Sequence, residues 1–143
     1  MKVLAVDYGK KHIGLASGDT EGRIAFPKDV ILRKSDEQAM TELLRVVRDE
    51  GYGVVVFGSP RNMDGGQGRQ YEITMKFVDG FKEAVKEDGA GLGDVSVEMM
   101  DERLSSFEAG AVLENLTGMR KREGDRDMMA AKVILERWFL QVG

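Results

Sequence analysis

Two short runs without a polar residue, Val3-Leu4-Ala5-Val6 and Val54-Val55-Val56-Phe57, restrict this chain more than any other feature. Side chains of a strand alternate between the two faces of its sheet, so an uninterrupted apolar strand must be covered on both sides. That is the setting of a parallel sheet held between layers of helix. Each run leads into turn-forming residues, Tyr8-Gly9-Lys10-Lys11 after the first and the loop Gly58 to Gly68 after the second. Ser35 followed by Gln38 has capping-box spacing, and Ala39, Met40, Leu43, Leu44 and Val47 recur at helical intervals. A helix is therefore expected to run to about Glu50, where Gly51 and Gly53 end it. A second should span about Arg69 to Glu87, with Tyr71, Met75, Val78, Phe81 and Val85 on one face. His12 to Ser17 and Gly22 to Leu32 read as strands, the latter irregular or at a sheet edge because it holds Pro27. Val95 to Met100 is the last strand, Ser105 with Glu108 opens a helix through Leu116, and a final helix begins near Asp127. The order βββαβαβαα predicts an α/β fold with a mixed five-stranded sheet and helices on both faces.

At 143 residues the chain has the size of one domain, expected to span 1–143, that buries a real core. Without cysteine it can form neither disulfides nor thiolate metal sites, and thiol catalysis is excluded. No apolar run approaches the roughly 20 residues that cross a bilayer, so a soluble cytoplasmic protein without membrane contact is expected. The net charge of -4 argues against broad attraction to nucleic acid. Screening over about 8 Å in physiological salt leaves local charge in control of any contact surface.

Three stretches deliver carboxylates that one place could collect. Asp7 ends the first apolar run, where a ligand site opens at the C-terminal edge of an α/β sheet, and Gly9 and Gly14 would let a phosphate backbone approach. Asp101 and Glu102 follow the last strand, with Arg103 beside them to neutralise them or meet phosphate. Asp127 starts the apolar stripe of its own helix, because Ala130, Ala131, Ile134 and Trp138 follow at helical spacing. The plain readings are a turn cap for Asp7, a solvated strand end for Asp101 and Glu102, and a helix cap for Asp127, although Asp125 suits the cap better. Carboxylates 4 Å apart repel by about 4 kcal/mol per pair at an effective dielectric near 20. A hard divalent cation, Mg2+ or Mn2+, offsets that. Two such ions about 4 Å apart can activate water and stabilise the leaving oxygen of a phosphodiester without any nucleophilic side chain.

The runs AVDYGKKHIGLASGD, VVVFGSPRNMDGGQG, MMDERLSSFEA and DMMAAKVIL resemble, in order and spacing, the signatures of the YqgF family, also called RuvX, of RNase H-like proteins. Members are described as Holliday junction resolvases by kinship to RuvC, and as nucleases that mature the 5′ end of pre-16S rRNA. The resemblance implies that Asp7 is the first-strand metal-binding acid, that Asp101-Glu102-Arg103 is the DER motif, and that Asp127 precedes the paired alanines; it leaves the choice of ligand between Asp101 and Glu102 open, and we prefer Glu102. It implies a metal-dependent nuclease acting on pre-rRNA or, alternatively, on branched DNA, with no oligomeric state legible. His12 departs from the pattern, which commonly has Arg there.

Lys10, Lys11, Arg61, Asn62, Arg69, Arg103 and Arg122 are the candidate nucleic-acid contacts. The loop around Arg61 matches neither a Walker loop nor a dinucleotide fingerprint. His12, the only histidine, reads as a surface position on the hairpin. An Asp-x-Gly hairpin also opens sugar kinases and actin-like ATPases, but those need a second domain for which this chain is too short. A non-catalytic binding module on the same scaffold is the other alternative.

Overall fold

The computed structural model of the chain describes residues 1–59, 68–87, 92, 94–101 and 125–142. Five strands, β1 (Lys2–Tyr8), β2 (His12–Asp19), β3 (Ala25–Leu32), β4 (Val54–Ser59) and β5 (Ser96–Asp101), form one sheet in the order β3-β2-β1-β4-β5. β2 runs antiparallel to β1 and β3, whereas β4 is parallel to β1 and β5 to β4. The two apolar runs thus become neighbouring interior strands, and every residue of β4 is buried. Pro27 lies on the edge strand as expected. The register shifts between Leu15 and Ala16, where Lys28 is the extra residue of a bulge.

Helices α1 (Asp36–Glu50) and α2 (Arg69–Glu87) cover one face, and α3 (Asp125–Val142) covers the other. The capping box at α1 is present: the Ser35 hydroxyl accepts from the Gln38 backbone N–H at 3.1 Å and the Gln38 side chain accepts from Ser35. Such a cap contributes about 1 kcal/mol. Gly51 closes the helix at φ 71°, in the left-handed region that favours glycine. The expected helix from Ser105 to Leu116 lies outside the described residues.

The α1/α2 face is packed with large side chains. Phe57 meets Phe81 edge-on at 5.4 Å, and Tyr8 stacks on Phe77 at 4.6 Å. That stack corrects the expected stripe of α2, which buries Thr74 and Phe77 along with Val78, Phe81 and Val85. Tyr71 and Met75 instead line a cavity of about 250 Å³ with Ser59, Met99 and Asp101, beyond the end of the sheet's packed centre. The α3 face is lined by small residues: Val3, Ala5, Ala16, Ala25, Val54 and Val56 receive Ala131, Ile134, Leu135, Trp138 and Phe139. On β2 the residues turned to α3 include Gly14 and Gly18, where a Cβ would lie 2.0 Å from the Asp127 carbonyl oxygen and 2.9 Å from the Phe139 ring. The helix lies that close because those side chains are missing. No helix among the described residues is long and apolar enough to cross a membrane.

Candidate active site

Asp7 is placed by strand alternation. Val6 and Tyr8 point into the α1/α2 core and Ala5 into the α3 core, so the half-buried Asp7 belongs to the α3 face at the C-terminal end of β1. Its register partner on β2 is Gly14. Paired Cα atoms in antiparallel strands are about 5 Å apart.

The space a side chain at Gly14 would fill is taken by Asp127. A Cβ there would be 2.3 Å from the Asp127 carbonyl carbon and 3.0 Å from its Cβ. Asp127, the third residue of α3, therefore lies directly over the residue paired with Asp7. Two acids from distant parts of the chain are thereby brought to one corner of the sheet. Gly14 had been expected to admit a phosphate backbone; in the fold it admits the backbone of α3. Gly9 serves the turn, since a Cβ would lie 2.5 Å from the His12 carbonyl oxygen. Neither Asp127 nor Asp125 is the helix cap, because a cap precedes the first helical residue and α3 already begins at Asp125.

His12 is not simply a surface residue. Its Nδ1 lies 3.7 Å from Asp127 Oδ2, and its side chain is only 18% exposed. Burial pushes the Asp127 carboxyl above its ordinary pKa, with His12 and Arg126 opposing the rise. The ionised carboxylate is thus under-compensated where it stands, and added positive charge would favour it. The strand position of His12 could have revealed the contact, had the close approach of α3 been known. The sequence carried a signal for that approach in the small residues Gly14, Ala16 and Gly18 at every second position of β2.

The remaining candidates divide. Asp101, the last residue of β5, pairs with Ser59 and faces the α2 side with Met99, away from Asp7 and Asp127. Met100 before it packs into the α3 core. Lys10 and Lys11 are exposed in the β1–β2 turn, and Arg69 is the exposed first residue of α2. Glu102, Arg103, Arg61, Asn62 and Arg122 lie outside the described residues. Among the described residues no group of three or more acids or histidines is gathered as a metal site. The side chains of Asp7 and Asp127 would offer carboxylate oxygens, which suit hard divalent ions.

The model of the RuvX family, described as Holliday junction resolvase, matches residues 1–141. The chain belongs to the RuvX family. A relative from Maridesulfovibrio salexigens is 36% identical over 140 residues, covering 96% of this chain and 97% of its own. One from Chloroflexus aurantiacus is 36% identical over 136 residues, covering 94% and 83%. Both bear the name "Putative pre-16S rRNA nuclease". Among solved structures, the Thermus thermophilus RuvC bound to a Holliday junction substrate aligns with a TM-score of 0.60 at 16% identity, over 100% of this chain and 96% of RuvC. The fowlpox virus resolvase, solved with Holliday junction DNA, aligns at 0.61 and 12% identity over 99% of each chain. At such identities the likeness speaks for fold alone. It agrees with the RNase H-like α/β sandwich that the sequence predicted for this RuvX protein.

Proposed function

We propose that this RuvX protein is a metal-dependent nuclease that hydrolyses phosphodiester bonds, with the 5′ end of pre-16S rRNA as its substrate. The observation that carries the reading is the convergence of Asp7 and Asp127 through Gly14, in a chain whose relatives are named for that activity. Asp7, Asp127 and Glu102 would hold Mg2+ or Mn2+, two ions in the fullest form. Asp101 faces the other side of the sheet, which favours its neighbour Glu102 as the third ligand. When bound, the ions supply an activated water and a stabilised leaving oxygen. The chain's own part is to hold carboxylate oxygens on rigid strand and helix ends and to keep His12 against Asp127. Lys10, Lys11 and Arg69, with Arg61, Asn62, Arg103 and Arg122, would neutralise the phosphates of the substrate.

Junction cleavage is the second reading, favoured by the family's description and by the fold it shares with RuvC. It needs two sites related by a two-fold axis. A side-by-side assay with a precursor rRNA fragment and a four-way DNA junction, in Mg2+ or Mn2+, separates the two. Asp7→Asn should abolish cleavage of whichever substrate is cut while leaving the circular dichroism spectrum unchanged. Cleavage by Asp7→Asn at the wild-type rate sinks the proposal. A binding module without an active site would show, by calorimetry, no Mg2+ or Mn2+ binding that depends on Asp7.

A further inference from the structure

The rim beyond Asp7 is built around one arginine. Arg33, between β3 and α1, donates from Nε to the carbonyl oxygens of Lys10 at 2.9 Å and Gly9 at 3.3 Å. Its backbone N–H donates to the Lys11 carbonyl oxygen at 2.8 Å. Its Nη1 donates to Asp36 Oδ1 at 3.1 Å, and its guanidinium lies 5.4 Å from the centre of the Tyr8 ring. The Tyr8 hydroxyl donates to the same Asp36 oxygen at 2.7 Å. A rigid planar fork of donors can serve all these partners at once, which an ammonium on a flexible stem cannot. One side chain thereby ties the β1–β2 turn to the end of β1 and the start of α1.

The charges on this rim are divided in use. Arg33 is answered by Asp36, whereas Lys10, Lys11 and Lys34 are exposed. Lys34 follows Arg33 directly, and Arg33 is bonded to the backbone of both turn lysines, so the three lysines stand on neighbouring backbone of one rim, with Lys34 also lining the groove between β3 and α1. Asp36 and Glu37 in the first turn of α1 bound it on the far side. In a chain of net charge -4, three exposed lysines on neighbouring backbone near the corner of Asp7 and Asp127 suit a polyanion that must reach those acids.

We propose that Lys10, Lys11 and Lys34 form one phosphate-contact surface for the nucleic acid, flanking the Asp7–Asp127 corner, and that Arg33 is the positioning residue that fixes the turn carrying the first two. This rests on the nuclease reading. A substrate strand leaving the scissile phosphate then runs over the β1–β2 turn toward the β3–α1 connection.

The test measures binding of a labelled precursor rRNA fragment and a labelled four-way DNA junction across a salt series, with all proteins carrying Asp7→Asn so that nothing is cut. Replacing Lys10, Lys11 and Lys34 by Gln should weaken binding tens-fold and lower the log-log salt slope by about 2 to 3, near one per lost phosphate contact. Replacing Lys76, Lys82 and Lys86 of α2 by Gln should leave the slope unchanged. Arg33→Gln should weaken binding strongly when Lys10 and Lys11 are present and far less once both are Gln, a coupling that general loss of structure would not produce. If both triple variants lower the slope alike, the surface is not local and the proposal fails. Additive costs for Arg33 and the turn lysines would remove its positioning role. A parent that binds neither probe overturns the nuclease reading together with this one, whereas a parent that binds both with a slope indifferent to the lysines overturns this one alone.

Discussion

The two faces of the sheet are built to different rules. Under α1 and α2 the sheet carries Phe57, Tyr8, Leu4, Ile13 and Leu15, which fill a thick layer with Phe77 and Phe81. Under α3 it carries alanines, valines and glycines, and the helix lies close enough to touch the strand backbone at Gly14. The thick face holds the larger buried apolar cluster, whose burial contributes stability. The thin face brings the backbone of Asp127 over the partner of Asp7. The contrast teaches that stability and site assembly can be assigned to opposite sides of one sheet, and substitutions can test that division.

The largest effect should come from Gly14→Ala. A methyl group there would be 2.0 Å from the Asp127 carbonyl oxygen, and backbone cannot step aside as a side-chain tip can. The start of α3 must shift by an ångström or more, and misplacement on that scale costs on the order of 100-fold in rate. Cleavage by Gly14→Ala within a few-fold of wild type would show that Asp127 need not lie so close to β2. Phe57→Ala probes the thick face: loss of a fully buried ring should cost about 3 to 5 kcal/mol in urea unfolding. At a temperature where the variant stays folded, its cleavage rate should remain within a few-fold of wild type, and a 100-fold loss would break the division of labour.

The thick face was the easier one to read. Apolar runs, a Ser35–Gln38 cap and helical spacing are local signals, and they locate β1, β4 and α1 to within a residue or two. Pro27 likewise announced an edge strand. The thin face depends on where distant segments meet, which a local pattern does not encode. Asp7 and Asp127 were legible as candidates because each adjoins an apolar stripe, yet the contact of His12 with Asp127 exists only because α3 crosses β2 at Gly14. The side of the sheet taken by Asp101 follows from the register of β5 on β4, which no residue of β5 reveals alone. Nothing local to Arg33 signals its role, because its carbonyl partners lie in a turn more than twenty residues away.

A smaller effect belongs to Tyr8, at the border of the two regions. Burial first, then the hydrogen bond to Asp36 and the charge of Asp36, push its hydroxyl from 10.0 up to about 12, with Arg33 opposing. The folded state therefore keeps the proton after the unfolded chain has lost it. The stability this contributes is whole below pH 10 and is lost as pH rises toward 12, by about 2 kcal/mol. Tyr8→Phe should flatten that decline relative to wild type in urea titrations at pH 9 and 11.5. Parallel declines in the two proteins would show that Tyr8 ionises as freely folded as unfolded.

The smallest effect sharpens the comparison most, because it asks whether the thin face pays for its site in stability. Burial raises the Asp127 carboxyl, so its folded-state pKa lies above the unfolded one and the protonated form is the one that folding favours. That contribution is complete below the unfolded value and disappears as pH climbs through the folded one, leaving an ionised group that costs stability at neutral pH. Asp127→Asn keeps the shape and removes the charge. In chelator at pH 7 the variant should melt above wild type, and the gap should close near pH 3, where both side chains are neutral. Added Mg2+ should then stabilise the wild type more than the variant, since a charged carboxylate is a much stronger ligand than a neutral amide oxygen. A variant that melts below wild type in chelator would mean that attraction to His12 and Arg126 outweighs burial, and the corner would then hold its acids together without a cation.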